Sequence, residues 1–99
     1  MAKTAGVKAL NIDGFLIDDE NEEKFATHGL SSDQVVQVLE NEYIVVRNRR
    51  NRRASHMVVG KDNGGACITI PIQATYDLAL WRPVTAWLSK DNERSRLEN

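Results

Sequence analysis

Residues 43–73, YIVVRNRRNRRASHMVVGKDNGGACITIPIQ, read as three consecutive strands and the two turns that join them. β-Branched residues alternate from Tyr43 to Arg49, Ser55 to Lys61 and Ala66 to Gln73, and the pattern returns from Leu80 to Trp87. The run Lys61-Asp62-Asn63-Gly64-Gly65 is a hairpin turn, because asparagine and glycine tolerate the positive φ that tight hairpins need. The arginine-rich run makes the first connection, and Thr75 to Ala79 the third. A four-stranded antiparallel sheet is expected. In its third strand Ala66, Ile68, Ile70 and Ile72 share one face, while Cys67, Thr69 and Gln73 share the other, so one side requires a cover. Pro71 has no N–H for a ladder, which predicts a bulge or an edge beside it.

The cover comes from the residues upstream. Asp18 to His28 carries carboxylates in its first turn, where the helix dipole favours them, and ends at His28-Gly29-Leu30 with glycine at the left-handed stop. Phe25 is its only large apolar residue. Ser31 with Gln34 three residues on forms a capping box, after which Val35, Val36, Val38 and Leu39 supply an apolar stripe. A short strand within Val7 to Phe15, turning at Asp13-Gly14, precedes both helices. The expected class is α+β, with this strand and two short helices packed on the four-stranded sheet.

Its 99 residues make a single domain. Residues 1–7 read as a loose end, and 89–99 as a weakly structured tail whose only large apolar residue is Leu97. With 41% apolar and 27% charged residues and no apolar run near membrane length, the composition is that of a soluble globular protein. Met1 to Leu10 lacks the apolar core of a secretory signal, and the lone Cys67 has no internal partner, so a reducing cytoplasm is the expected setting. No membrane partner is expected.

A formal net charge of -1 conceals strong segregation. Arg47, Arg49, Arg50, Arg52 and Arg53 crowd one turn, while Asp18, Asp19, Glu20, Glu22, Glu23, Asp33, Glu40 and Glu42 stand upstream against Lys24 alone. The arginines suit a phosphate or an acidic partner; they equally suit a solvated tip docked on the chain's own acidic helix. Two histidines and one cysteine offer no metal-ligand spacing, and no phosphate-binding glycine loop or nucleophile elbow is present. The acidic cluster lacks the alternation and central glycine of a calcium loop. Neither a metal nor an organic cofactor is expected.

His28-Gly29-Leu30-Ser31 in the helical segment, the antiparallel strands after it, and Arg82-Pro83-Val84-Thr85-Ala86 in the last strand together resemble the BrnT-type toxins of the wider RelE-like group. The likeness covers roughly residues 8 to 90. The chain departs from that pattern in three places: it has Thr27 and Trp87 where the pattern often has basic residues, and the C-terminal helix of the pattern is nearly absent. The resemblance implies a RelE-like fold and a small metal-independent ribonuclease that acts on RNA and is held inactive by a cognate antitoxin protein, typically one with a ribbon-helix-helix part.

Cleavage of that kind needs a proton acceptor, a proton donor and fixed cations at the phosphate. Arg82, in an otherwise apolar strand, is the candidate for the cation, and His56, with an ordinary pKa near neutrality, for proton transfer. Lys24 and Tyr43 are weaker candidates beside the five arginines of the turn. Each has a plainer reading: Arg82 as a structural ion pair with Asp77 or Glu42, His56 as an ordinary strand residue, and His28 as a cation at a helix end. Trp81 and Trp87 read as core or interface residues, or as platforms for bases. Substrate preference and oligomeric state are not legible from the chain.

Overall fold

The computed structural model describes Leu10 and residues 12–98. Residues 1–7, read as a loose end, lie outside that range, as do most of the positions preceding Asp13 in the expected first strand. The elements in order are β1 (Gly14–Phe15), α1 (Asp19–Thr27), α2 (Ser32–Gln37), a 3₁₀ turn (Val38–Glu40), β2 (Tyr43–Arg47), β3 (His56–Lys61), β4 (Cys67–Ala74), β5 (Leu80–Pro83), β6 (Trp87–Leu88) and α3 (Asp91–Glu98). The class is α+β. Among the described residues no helix is long and apolar enough to cross a membrane.

Both helix starts form as their sequences dictate. Asp18 accepts from the Asn21 N–H at 2.9 Å while the Asn21 side chain accepts from the Asp18 N–H at 2.9 Å, and Ser31 with Gln34 repeats the device. Gly29, at φ 74°, turns the chain between the helices in the region glycine enters without strain. Asn21 is fully buried yet satisfied, since its amide donates to Leu16 O and Pro83 O at 2.9 and 3.0 Å. It ties α1 to the sheet.

The sheet departs from the expectation of four antiparallel strands. Among the described residues it has six, in the order β1-β5-β4-β3-β2, with β6 also beside β4, and β1 runs parallel to β5. The single strand expected from Leu80 to Trp87 is two. From the pair Ile72–Pro83 to the pair Thr69–Trp87, β4 advances three residues (72 − 69) and the opposing chain four (87 − 83), so one residue is extra. That bulge lies opposite Pro71, whose carbonyl accepts from Val84 N–H at 2.8 Å.

Val45, Val58, Ile68, Ile70 and Ile72 meet Phe25, Leu30, Val35, Val38 and Ala86 in the main core. Val36 is exposed, so the apolar stripe of α2 is narrower than its composition suggests. Gly60 lets the 3₁₀ turn close down on β3: a Cβ there would stand 2.7 Å from Val38 Cγ1 and 2.8 Å from Tyr43 Cβ. On the sheet's second face Ile44, Val46 and Val59 form a smaller cluster with Met57, Cys67 and Leu97. Leu97 belongs to α3, a helix of eight residues within the segment read as a weakly structured tail, so the expectation that a C-terminal helix is nearly absent is corrected: its ends are set by charge and its apolar content is a single leucine. What sequence patterning omits is the polar anchorage of α3: Glu93 Oε1 accepts from Lys90 N, Thr69 Oγ1 and Trp87 Nε1 at 2.8, 2.9 and 3.1 Å.

Candidate functional site

The loop after β2 closes on itself through Asn48, whose amide donates to Ala54 O at 2.9 Å and whose Oδ1 accepts from Arg49 N at 2.8 Å. Asn51 occupies the left-handed region at φ 63°, which asparagine tolerates better than most residues. All five arginines of the turn are exposed. Arg47, Arg49 and Arg52 line one side of a trough of about 530 Å³ over the second face of the sheet. Val46, Met57 and Val59 also line it, together with Lys90, Glu93 and Arg96 at the C-terminal helix and Trp87 from β6. Among the described residues, five cations thus share the trough with one carboxylate, and Glu93 already accepts three hydrogen bonds on a single oxygen.

The remaining arginines of the turn point elsewhere. Arg53 donates through Nε to Gln73 Oε1 at 3.0 Å and approaches Glu20 at 3.9 Å, with both ends of that ion pair more than half exposed. Docking of the acidic helix on the arginine turn is therefore confined to one exposed pair, of the class worth at most about 1 kcal/mol. Arg50 is exposed and does not line the trough. Among the described residues, Arg47, Arg49, Arg50 and Arg52 form no ion pair.

Arg82 is buried, 9% exposed, and engages the start of α1 through Nε and Nη2. Its Nε and Nη2 donate to the two carboxylate oxygens of Asp18 at 2.9 and 3.1 Å, and Nη2 also donates to Glu20 at 2.7 Å. An ion pair is what the plainer reading of Arg82 expected, with different acids: Asp18 and Glu20 in place of Asp77 or Glu42. The guanidinium, followed by the Asn21 N–H, holds Asp18 below its usual 3.8, and Asp18 in turn raises the pKa of Arg82.

His56 pairs in register with Arg47 and with Ile72 of the main core, and it does not line the trough. Its ring meets Trp81 edge-on with centroids 5.7 Å apart, and Ser55 Oγ lies 2.8 Å from Nδ1. Burial and then the positive charge of Arg47 lower its pKa from 6.5. In the unfolded chain this histidine binds a proton near its ordinary value, whereas the folded state resists it. The contribution of His56 to stability is therefore fully present above pH 6.5 and is lost as pH falls below it toward the lower value of the folded state. Denaturant unfolding of wild type and His56→Gln across that interval checks this: the variant should have a shallower pH slope, and equal slopes would remove His56 as the source.

Of the residues singled out in sequence, the trough gathers Arg47, Arg49 and Arg52. Lys24 is exposed on α1 and Tyr43 packs against the main core; neither lines the trough. Lys90, Glu93 and Arg96 were hidden in the supposed tail. A usable signal was present there: carboxylates at Asp91 and Glu93 and a base at Arg96 fit the two ends of a helix. No family model matches this chain, and no curated protein matches it in sequence.

Proposed function

We propose that the protein binds RNA along its phosphate backbone in the trough between the arginine loop and the C-terminal helix. The observation that carries this reading is the convergence of Arg47, Arg49, Arg52, Lys90 and Arg96 on one concave surface whose only carboxylate among the described residues is already engaged. Cations without acidic partners keep their charge for a ligand, and a concave arrangement concentrates their field. The likeness to BrnT-type toxins favours RNA as the polyanion. It also suggests the stronger reading of a metal-independent ribonuclease toxin restrained by an antitoxin, which requires an acid and a base within reach of the bound phosphate. Neither His28 nor His56 lines the trough, and Arg82 is committed to Asp18 and Glu20. Binding without cleavage is the reading this arrangement favours.

End-labelled single-stranded RNA incubated with pure protein in EDTA, run on native and denaturing gels, tests it. A shifted and intact RNA is the expected result. With five phosphate contacts, log affinity should fall against log salt with a slope of about -3.5. An absent shift at low salt would reject the proposal, and cut RNA would restore the toxin reading.

A further inference from the structure

We infer that Trp87 is a stacking platform for one unpaired base, so that the trough takes single-stranded nucleic acid in preference to a duplex. This rests on the phosphate-binding reading of the same trough. The two tryptophans have different surroundings. Trp81 packs against the main core and on the His56 ring, as a structural tryptophan does. Trp87 belongs to neither apolar cluster, is partly exposed, and lines the trough.

Its polar edge is already satisfied. The indole N–H donates to Glu93 Oε1 at 3.1 Å, and the same oxygen accepts from Thr69, the register partner of Trp87, and from the Lys90 backbone. This convergence fixes the orientation of the ring, and the edge-on contact with His28 at 6.4 Å supports it further. An oriented indole loses little freedom when a flat ligand lies on it. Lys90 Nζ stands over the indole, 5.9 Å from its centroid, so a base that takes this face displaces the ammonium, which then joins Arg47, Arg49 and Arg52 of the same cleft as a cation for the phosphates. The cleft, about 530 Å³, falls in the size range of small-ligand pockets. It admits a nucleotide, whereas a duplex keeps its bases stacked and paired and can meet only the rim.

The test compares three polyanions of equal length on wild-type protein: oligouridine, the duplex it forms with oligoadenosine, and an abasic strand. Binding is followed by anisotropy of a labelled strand and by intrinsic tryptophan emission. The single strand should bind about tenfold or more tighter than the abasic strand and quench emission. Trp87→Leu should lose that advantage and the quenching, while Trp87→Phe retains part of the advantage, with circular dichroism verifying the fold of both. Equal binding of base-bearing and abasic strands, or tighter binding of the duplex, would overturn the platform and leave the backbone reading standing. Failure of all three polyanions to bind would overturn the backbone reading, and the platform with it.

Discussion

Replacing Arg82 with leucine is expected to lower stability by about 2–3 kcal/mol, because the side chain supplies three charge-assisted hydrogen bonds from a site only 9% exposed. For a domain of this size that corresponds to a fall in melting temperature of roughly 10–20 °C. The loss stays below the extreme for a broken buried pair because both acids can turn to water: the side chains of Asp18 and Glu20 are 39% and 59% exposed. Arg82→Lys should fall between wild type and Arg82→Leu, since an ammonium group cannot reproduce a fork that grips both oxygens of one carboxylate while reaching a second. Asp18 has its pKa depressed, so its share of the pairing is present above pH 3.8 and is lost as pH falls through the lower value of the folded state. Thermal unfolding of the variants decides the matter. A melting temperature for Arg82→Leu equal to wild type would remove Arg82 from the architecture and free it for a ligand. The expected result makes Arg82 unsuitable as a probe of RNA chemistry, since a lost activity would report a weakened fold.

The same residue illustrates where sequence reading stops. A charge in an apolar strand demands a partner, and that demand is legible. Which acid answers it depends on the capping box at Asp18 and Asn21 and on the tie from Asn21 to Pro83, which bring the start of α1 beside β5. The capping boxes, the Lys61–Gly65 turn and the alternation of β2 to β4 depend on near neighbours, and their pattern survives in the linear chain. β1 is different. At two residues it has no periodicity, and its parallel placement rests on distant backbone bonds such as Asp13 N–H to Ala79 O and Leu16 N–H to Trp81 O. The split between β5 and β6 arises from the extra residue opposite Pro71; the proline marks the place but not which strand yields.

The trough divides in the same way. Its arginine side is visible as a cluster of like charge, while the opposite side required α3, whose sequence DNERSRLE offers Leu97 as its one large apolar residue. Hydrophobic periodicity passes over a helix whose ties to the sheet are one leucine and one carboxylate that accepts from Thr69 and Trp87. The orientation of the arginines was equally hidden, because Arg53 differs from Arg52 in nothing but its reach to Gln73 and Glu20.

That difference makes the arginine turn its own control. Converting Arg47, Arg49 and Arg52 together to glutamine should weaken RNA binding about 100-fold near 0.1 M salt and reduce the log-log slope from about -3.5 to about -1.4, since only Lys90 and Arg96 remain. Converting Arg50 and Arg53 should change both far less, although it removes charge from the same turn. Anisotropy titrations across a salt series measure the two variants side by side. The triple variant should fold normally, because its arginines are exposed and make no ion pair among the described residues. If both variants lost affinity in proportion to the charge removed, the turn would be acting as an undirected positive tip. A loss concentrated at Arg47, Arg49 and Arg52 requires the ligand to lie in the trough, because position relative to α3 and Trp87 is what separates those three from their neighbours.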